Sequence, residues 1–193
     1  MKKNFKKVTY ILLFVLLLIP AAGCSKSNDK TTSSKPAATE TIKTKDFKSD
    51  DGKLQVSAPT SWKEVSQIKS MNPLYKIGIG DLSKEKYLGV ISESKDNFDG
   101  MTLDKYYDAI TSQLKTQITD AEISNVTDIT ISGSKAKIFQ LKGTVNNVKI
   151  TYINAIIDSP KAFNQVNSWT LTSSFDKNKS ELENAVKSFK ELS

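Results

Sequence analysis

Hydrophobic and polar positions divide the chain into three regimes. Residues 8–20 are almost uninterruptedly apolar, residues 25–45 carry almost no apolar side chains, and from Phe47 onward apolar positions recur with regular periods. In the third regime, Asp50, Asp51 and Gly52 predict a turn into a strand over 54–58, closed by Pro59 and followed by Trp62. Apolar runs over 75–80 and 87–93, separated by a polar stretch, predict a hairpin. Leu103, Tyr107, Ile110, Leu114 and Ile118 repeat at helical spacing and predict a helix over 102–119, with Thr102 as its cap and Tyr106 one step off the stripe. The period then changes to two, which predicts strands over 123–131, 135–145, 148–157 and 166–174. Gly133 falls in the first connection, Asn146 and Asn147 suit a tight turn with positive φ, and Ser159 with Pro160 opens the last loop. Ser180 and Glu183 form a capping box for a closing helix whose stripe is Leu182, Ala185, Val186 and Phe189.

The strand over 148–157 is two-sided. Ile150, Tyr152 and Ile156 point one way, Ile153, Ala155 and Ile157 the other, so both faces must be covered. A meander with such a central strand and two long amphipathic helices predicts an α+β fold: a largely antiparallel sheet with helices packed on both faces, a three-layer α/β/α sandwich. The chain length of 193 residues suits one domain, taken here as residues 47–193.

The amino terminus reads as an address. Lys2, Lys3, Lys6 and Lys7 precede the apolar run, which is shorter than the roughly 20 residues of a spanning helix and has the order of a secretory signal. Ala21, Ala22, Gly23 and Cys24 follow, and together they resemble the lipobox of bacterial lipoproteins. That resemblance implies removal of residues 1–23 and a diacylglyceryl group on Cys24. Each buried methylene adds about 0.8 kcal/mol, and two chains hold stably where one does not. Residues 24–46 then form a tether rich in Ser, Thr and Lys, with a reach of about 25 Å by flexible-chain scaling. The expected location is the extracytoplasmic face of the cell membrane, with a Gram-positive source favoured by the lysine-rich composition.

Composition then narrows the chemistry. The formal charge of +7 drops to about +3 once the four leader lysines leave, and the remaining lysines alternate with acids as on a solvated surface. All 28 basic residues are lysine, so the planar fork suited to phosphate and guanine is missing, and no nucleic-acid partner is expected. There is no histidine and a single cysteine, which removes a Ser/His/Asp triad, a histidine base and Cys/His zinc sites. Asp96, Asn97, Asp99 and Gly100 lack the ligand spacing of a calcium loop, and Asp104 with Asp108 reads as the wet side of a helix. No catalytic residue, metal or cofactor is assigned. Trp62, Tyr75, Tyr87, Tyr106 and Trp169 are candidates for lining a ligand or partner groove.

Phe47, Gly52, Leu54, Val56, Pro59 and Trp62, then Phe139, Gly143, Ile150, Tyr152, Phe163, Trp169, Phe175 and Phe189, resemble the spaced core and turn residues of the Mog1/PsbP fold, and most closely the small PsbP-like lipoproteins of Gram-positive bacteria. The resemblance implies a noncatalytic module, since PsbP supports the oxygen-evolving complex and Mog1 binds a small GTPase. The chain departs from the photosynthetic members in having no histidine. The expected function is therefore a surface-tethered binding or accessory module of the cell envelope, engaging an envelope protein through a sheet face or the loops around Pro73 and Pro160. Two other readings stay open: a carrier or sensor of a small hydrophobic or lipidic ligand, and an envelope hydrolase.

Overall fold

The computed structural model describes residues 43–192; the leader, Cys24 and the first part of the tether lie outside the described residues. The first strand, β1 (Thr44–Lys48), starts before Phe47, because Thr44, Lys45 and Asp46 pair with β2 (Leu54–Pro59) although they are polar. The turn between these strands is the expected one: Gly52 takes φ +70°, which favours glycine, and Ser49 Oγ donates to Asp51 at 2.6 Å. After Trp62 come a two-residue strand β3 (Lys63–Glu64) and a short helix α1 (Ser66–Met71), neither of which the hydrophobic pattern predicts.

The hairpin is β4 (Tyr75–Asp81) and β5 (Lys86–Ser94), joined through a 3₁₀ turn at Leu82–Lys84 with Glu85 left-handed. Helix α2 (Leu103–Gln117) begins at the expected cap, where Thr102 Oγ1 accepts from the Lys105 amide at 3.3 Å. Its buried stripe differs from the expected one. Tyr106 is buried at 2% exposure while Tyr107 is half-buried: the spacing suits both, but the Tyr106 ring stacks on Phe163 and its hydroxyl meets Gln165.

Four long strands follow: β6 (Thr119–Ile131), β7 (Ser134–Val145), β8 (Val148–Asp158) and β9 (Ala162–Leu171). Asn146 and Asn147 both take positive φ in the β7–β8 turn, as their position requires. Several boundaries depart from expectation, the first being β6, which starts at Thr119 and not at residue 123. Strand β9 starts at Ala162 and stops at Leu171, and the 3₁₀ turn Thr172–Ser174 leads straight into α3 (Phe175–Lys187). Ser180 therefore lies inside the helix and does not cap it; α3 has no side-chain cap, and Asp176 in its first turn complements the helix dipole instead. A two-residue strand β10 (Lys190–Glu191) closes the described chain.

The strands form a fully antiparallel seven-stranded sheet in the order β3-β4-β5-β9-β8-β7-β6, with a three-stranded sheet β1-β2-β10 beside it. Strand β8 separates two cores as its alternation predicts. Ile153, Ala155 and Ile157 pack with α3 and the small sheet; Ile150, Tyr152 and Ile156 pack with α1 and α2. The architecture is the expected α+β sandwich, with the small sheet sharing the α3 layer.

Candidate functional site

The five aromatics singled out from the sequence do not line one open groove. Trp62 is fully buried on the α3 side, whereas Tyr75, Tyr87, Tyr106 and Trp169 are buried on the α2 side. Tyr87 stacks on Trp169 at 5.5 Å between ring centroids, and Tyr106 stacks on Phe163 at 4.3 Å. They act as core: Tyr75, Tyr87, Tyr106 and Trp169 sit at inward positions of their strands and helix, three of them against another ring, and Trp62 is buried just after β2. Trp62 Nε1 donates to Glu181 at 2.8 Å, and Glu181 also pairs with the buried Lys86, so this corner fastens α3 to the sheet margin. Pro73 borders only a shallow hollow of about 200 Å³ with Asp50, Asp51 and Tyr75. Asp96 and Asn97 lie in a 3₁₀ turn (Lys95–Asn97) capped by Ser94.

A larger concavity, about 780 Å³, lies where the amino-terminal end of α2 meets the margin formed by β6 and β7. That volume is within the range of ligand and partner pockets. Strand alternation builds its lining. Lys135 and Lys137 point toward α2 while Ala136 between them joins the other core, and Asp128 stands across from Lys137 on β6. Met101 and Leu103 supply an apolar wall.

The charges in this groove are mostly matched. Lys137 Nζ donates to Asp128 at 2.7 Å and reaches Asp104, in the first turn of α2, at 2.9 Å. Lys95 pairs with Asp158 at 2.6 Å and lies over the Phe163 ring at 5.0 Å. Among the described residues Lys135 has no carboxylate partner. Hydrogen bonds donated to Asp128 and then to Asp104 hold the Lys137 ammonium well above the usual lysine range, so it stays protonated and cannot serve as a base near neutral pH. The groove thus offers hydrogen bonds, one unpaired cation and an apolar wall, and pairs no nucleophile with a base.

Sequence reasoning placed Asp104 only on the wet side of a helix and did not bring it to Lys137. No signal in the linear pattern could have done so, because the contact depends on how α2 crosses β7. Deeper on the same face, Tyr106 donates to Glu93, and Gln165 Nε2 donates to the Tyr106 hydroxyl at 2.9 Å. Burial, reinforced by the Glu93 charge, pushes the Tyr106 phenol far up, so it stays a neutral donor.

No protein-family model and no curated protein matches this sequence. Solved structures do. The cyanobacterial PsbP (CyanoP) of Synechocystis is similar with a TM-score of 0.59 and 15% identity, covering 82% of this chain and 98% of that one. The Ran-binding protein Mog1p of Saccharomyces cerevisiae gives 0.55 and 9%, covering 78% and 96%. LpqN of Mycobacterium tuberculosis, involved in cell envelope biogenesis, gives 0.53 and 12%, covering 78% and 91%. At these identities the likeness shows the fold: the chain has the Mog1/PsbP architecture.

Proposed function

We propose that the protein is a surface-tethered, noncatalytic accessory module of the cell envelope, anchored through lipid on Cys24 and engaging an envelope protein at the groove beside α2. The observation that carries this reading is the groove's place in the topology. The chain enters the domain at β1, which packs on the α3 side next to β4, near one margin of the large sheet. The groove lies on the opposite face at the opposite margin, beside β6 and β7. A domain held at Thr44 therefore presents the groove away from its anchor.

The lining supports a protein partner, because paired lysines and aspartates around an apolar wall match a mixed-charge surface. The alternative of a lipidic carrier finds no comparable support, since the aromatics expected to line its pocket are all buried in the two cores. Mog1p and LpqN are described as Ran-binding and as involved in cell envelope biogenesis; those descriptions are consistent with a fold used for accessory binding.

Two measurements test the reading. Cys24→Ala should release the protein from the membrane fraction and abolish palmitate incorporation; unchanged sedimentation refutes the anchor. A photoreactive residue at position 135, in intact cells, should give a discrete crosslinked species absent when the same group is placed at the exposed position 177 on α3. Equal or no crosslinking from both positions refutes the groove as the docking site.

A further inference from the structure

The α2-side face of the sheet carries a polar patch at its centre, where a hydrophobic layer is expected. Asn154 on β8 and Asn167 on β9 are direct cross-strand partners, so their Cβ atoms lie about 4.5–5.5 Å apart on one face. Tyr152 stands two residues before Asn154 and shares that face. Across from Asn167 on its other side is Gly89, which has no side chain, and the Tyr75 ring occupies the space above it. These side chains are almost completely closed off: Tyr152 is 1%, Asn154 3% and Asn167 6% exposed. Yet none of Tyr152 Oη, Asn154 Nδ2 and Asn167 Nδ2 has a hydrogen-bond partner within bonding distance in the protein, although the Tyr75 hydroxyl lies against the Asn167 side chain and near Tyr152.

Two donors and a hydroxyl left unmatched on one buried face would be costly, because a buried polar group without a partner loses its full hydration. Native proteins avoid this, and buried polar sites of this kind are filled by an oxygen-bearing group such as a water, which makes two to four hydrogen bonds in all and accepts two of them. The chemistry fixes the kind of occupant. The amide nitrogens can only donate, so the occupant must accept. No lysine is among the groups that act on Tyr75 or Tyr152, and Glu93, already engaged by Tyr106 and Gln165 farther along the face, disfavours a second negative charge. An anion is therefore excluded on electrostatic grounds, and a cation by the direction of the donors.

We propose that Tyr152, Asn154 and Asn167 form a buried receptor site, between the sheet and α2, for a small neutral oxygen acceptor. The oxygen is either an ordered internal water or the carbonyl or hydroxyl of a small organic molecule. The site is separate from the surface groove and does not depend on the docking role proposed for that groove.

Tyr152→Phe removes only the hydroxyl and leaves the ring packing in place. An oxygen bound there makes the substitution destabilising, and Tm of the mature chain should fall by about 2 °C or more. A hydroxyl with no partner predicts the reverse, and an unchanged or raised Tm overturns the proposal. Native mass spectrometry of the mature chain separates the two sources: an adduct that is lost in Asn154→Leu identifies an organic occupant. With no adduct, oxygen-17 relaxation dispersion should show a long-lived internal water that Tyr152→Phe and Asn154→Leu weaken. A lowered Tm with neither an adduct nor a long-lived water also overturns it.

Discussion

Replacing Gly89 by alanine adds one methyl group at the tightest point between β4 and β5. A Cβ at this position would fall 2.3 Å from Tyr75 Cε1 and 2.7 Å from Cδ1, distances that packed atoms do not tolerate. Tyr75 cannot swing outward, because its ring is buried and its hydroxyl lies against the Asn167 side chain. Overpacking of this kind costs about 1–3 kcal/mol. The stiffer unfolded chain offsets about 0.4–1 kcal/mol of that, leaving a net loss of about 1–2 kcal/mol. At about 2–4 °C per kcal/mol for a domain of this size, Tm should drop by about 2–8 °C. The assay is a double-mutant cycle by urea unfolding with Tyr75→Leu. If the ring is the obstacle, Gly89→Ala should cost far less in the Tyr75→Leu background, with a coupling of about 1 kcal/mol or more. A neutral Gly89→Ala, or two strictly additive effects, refutes the argument.

Lys137→Met keeps the aliphatic stem over Tyr107 but removes two ion pairs with exposed carboxylates, so it should cost about 0.2–1 kcal/mol per pair at low salt and less at high salt, read from Tm against ionic strength. Glu181→Gln removes the paired charge of the buried Lys86 and leaves it the Asp81 carboxylate, so the loss should fall below the roughly 3–5 kcal/mol for breaking a buried pair, measured by urea unfolding; a loss below about 1 kcal/mol contradicts the fastening role. Burial raises the Asp81 carboxyl, but the Ser83 hydrogen bond with Lys86 and Lys84 outweighs it and holds the group below its ordinary range. Its contribution is therefore present above the unfolded pKa near 3.8 and is lost as pH falls through the lower folded value, so Asp81→Asn should flatten that acid limb of the stability profile. Deleting Asn125, the left-handed residue of a bulge in β6, should straighten an exposed edge strand and increase self-association on size exclusion.

How much was legible in the sequence depended on whether burial and hydrophobicity agreed. They agree along β8, where the alternating isoleucines specify both cores; in α2 the Thr102 cap fixes the start, but Tyr106 and Thr111 take the buried places that the apolar repeat gave to Tyr107 and Ile110. They disagree in β9. Asn164, Gln165, Asn167 and Ser168 are all buried, since β9 lies between β5 and β8 near the centre of the sheet, but their polarity hides the first half of the strand from any hydrophobic pattern. The misplaced start of α3 has a related cause. Ser180 and Glu183 have the spacing of a capping box, but Phe175 is needed in the core, and burying it draws the helix back to the end of β9. The groove was illegible for a different reason. Lys95, Asp104, Asp128, Lys137 and Asp158 each look like ordinary surface charges, and only the crossing of α2 over β7 brings them together.

The same topology ties the candidate site to the expected tether. Strand β1 pairs only with β2, and that pair packs on the α3 side against β4, so the chain's point of entry is fixed by the hydrophobic faces of Phe47, Leu54, Val56 and Ala58. Strand β6 is reached only after α2 has crossed the opposite face and the chain has turned back to pair with β7, which places it at the far margin. That margin would invite pairing with another strand, but two bulges, with Asp120 and Asn125 left-handed, break its register. On the docking role proposed above, a partner reaching this margin would meet side chains in preference to a free backbone edge, and its specificity would come from the lysines, aspartates and apolar wall of the groove.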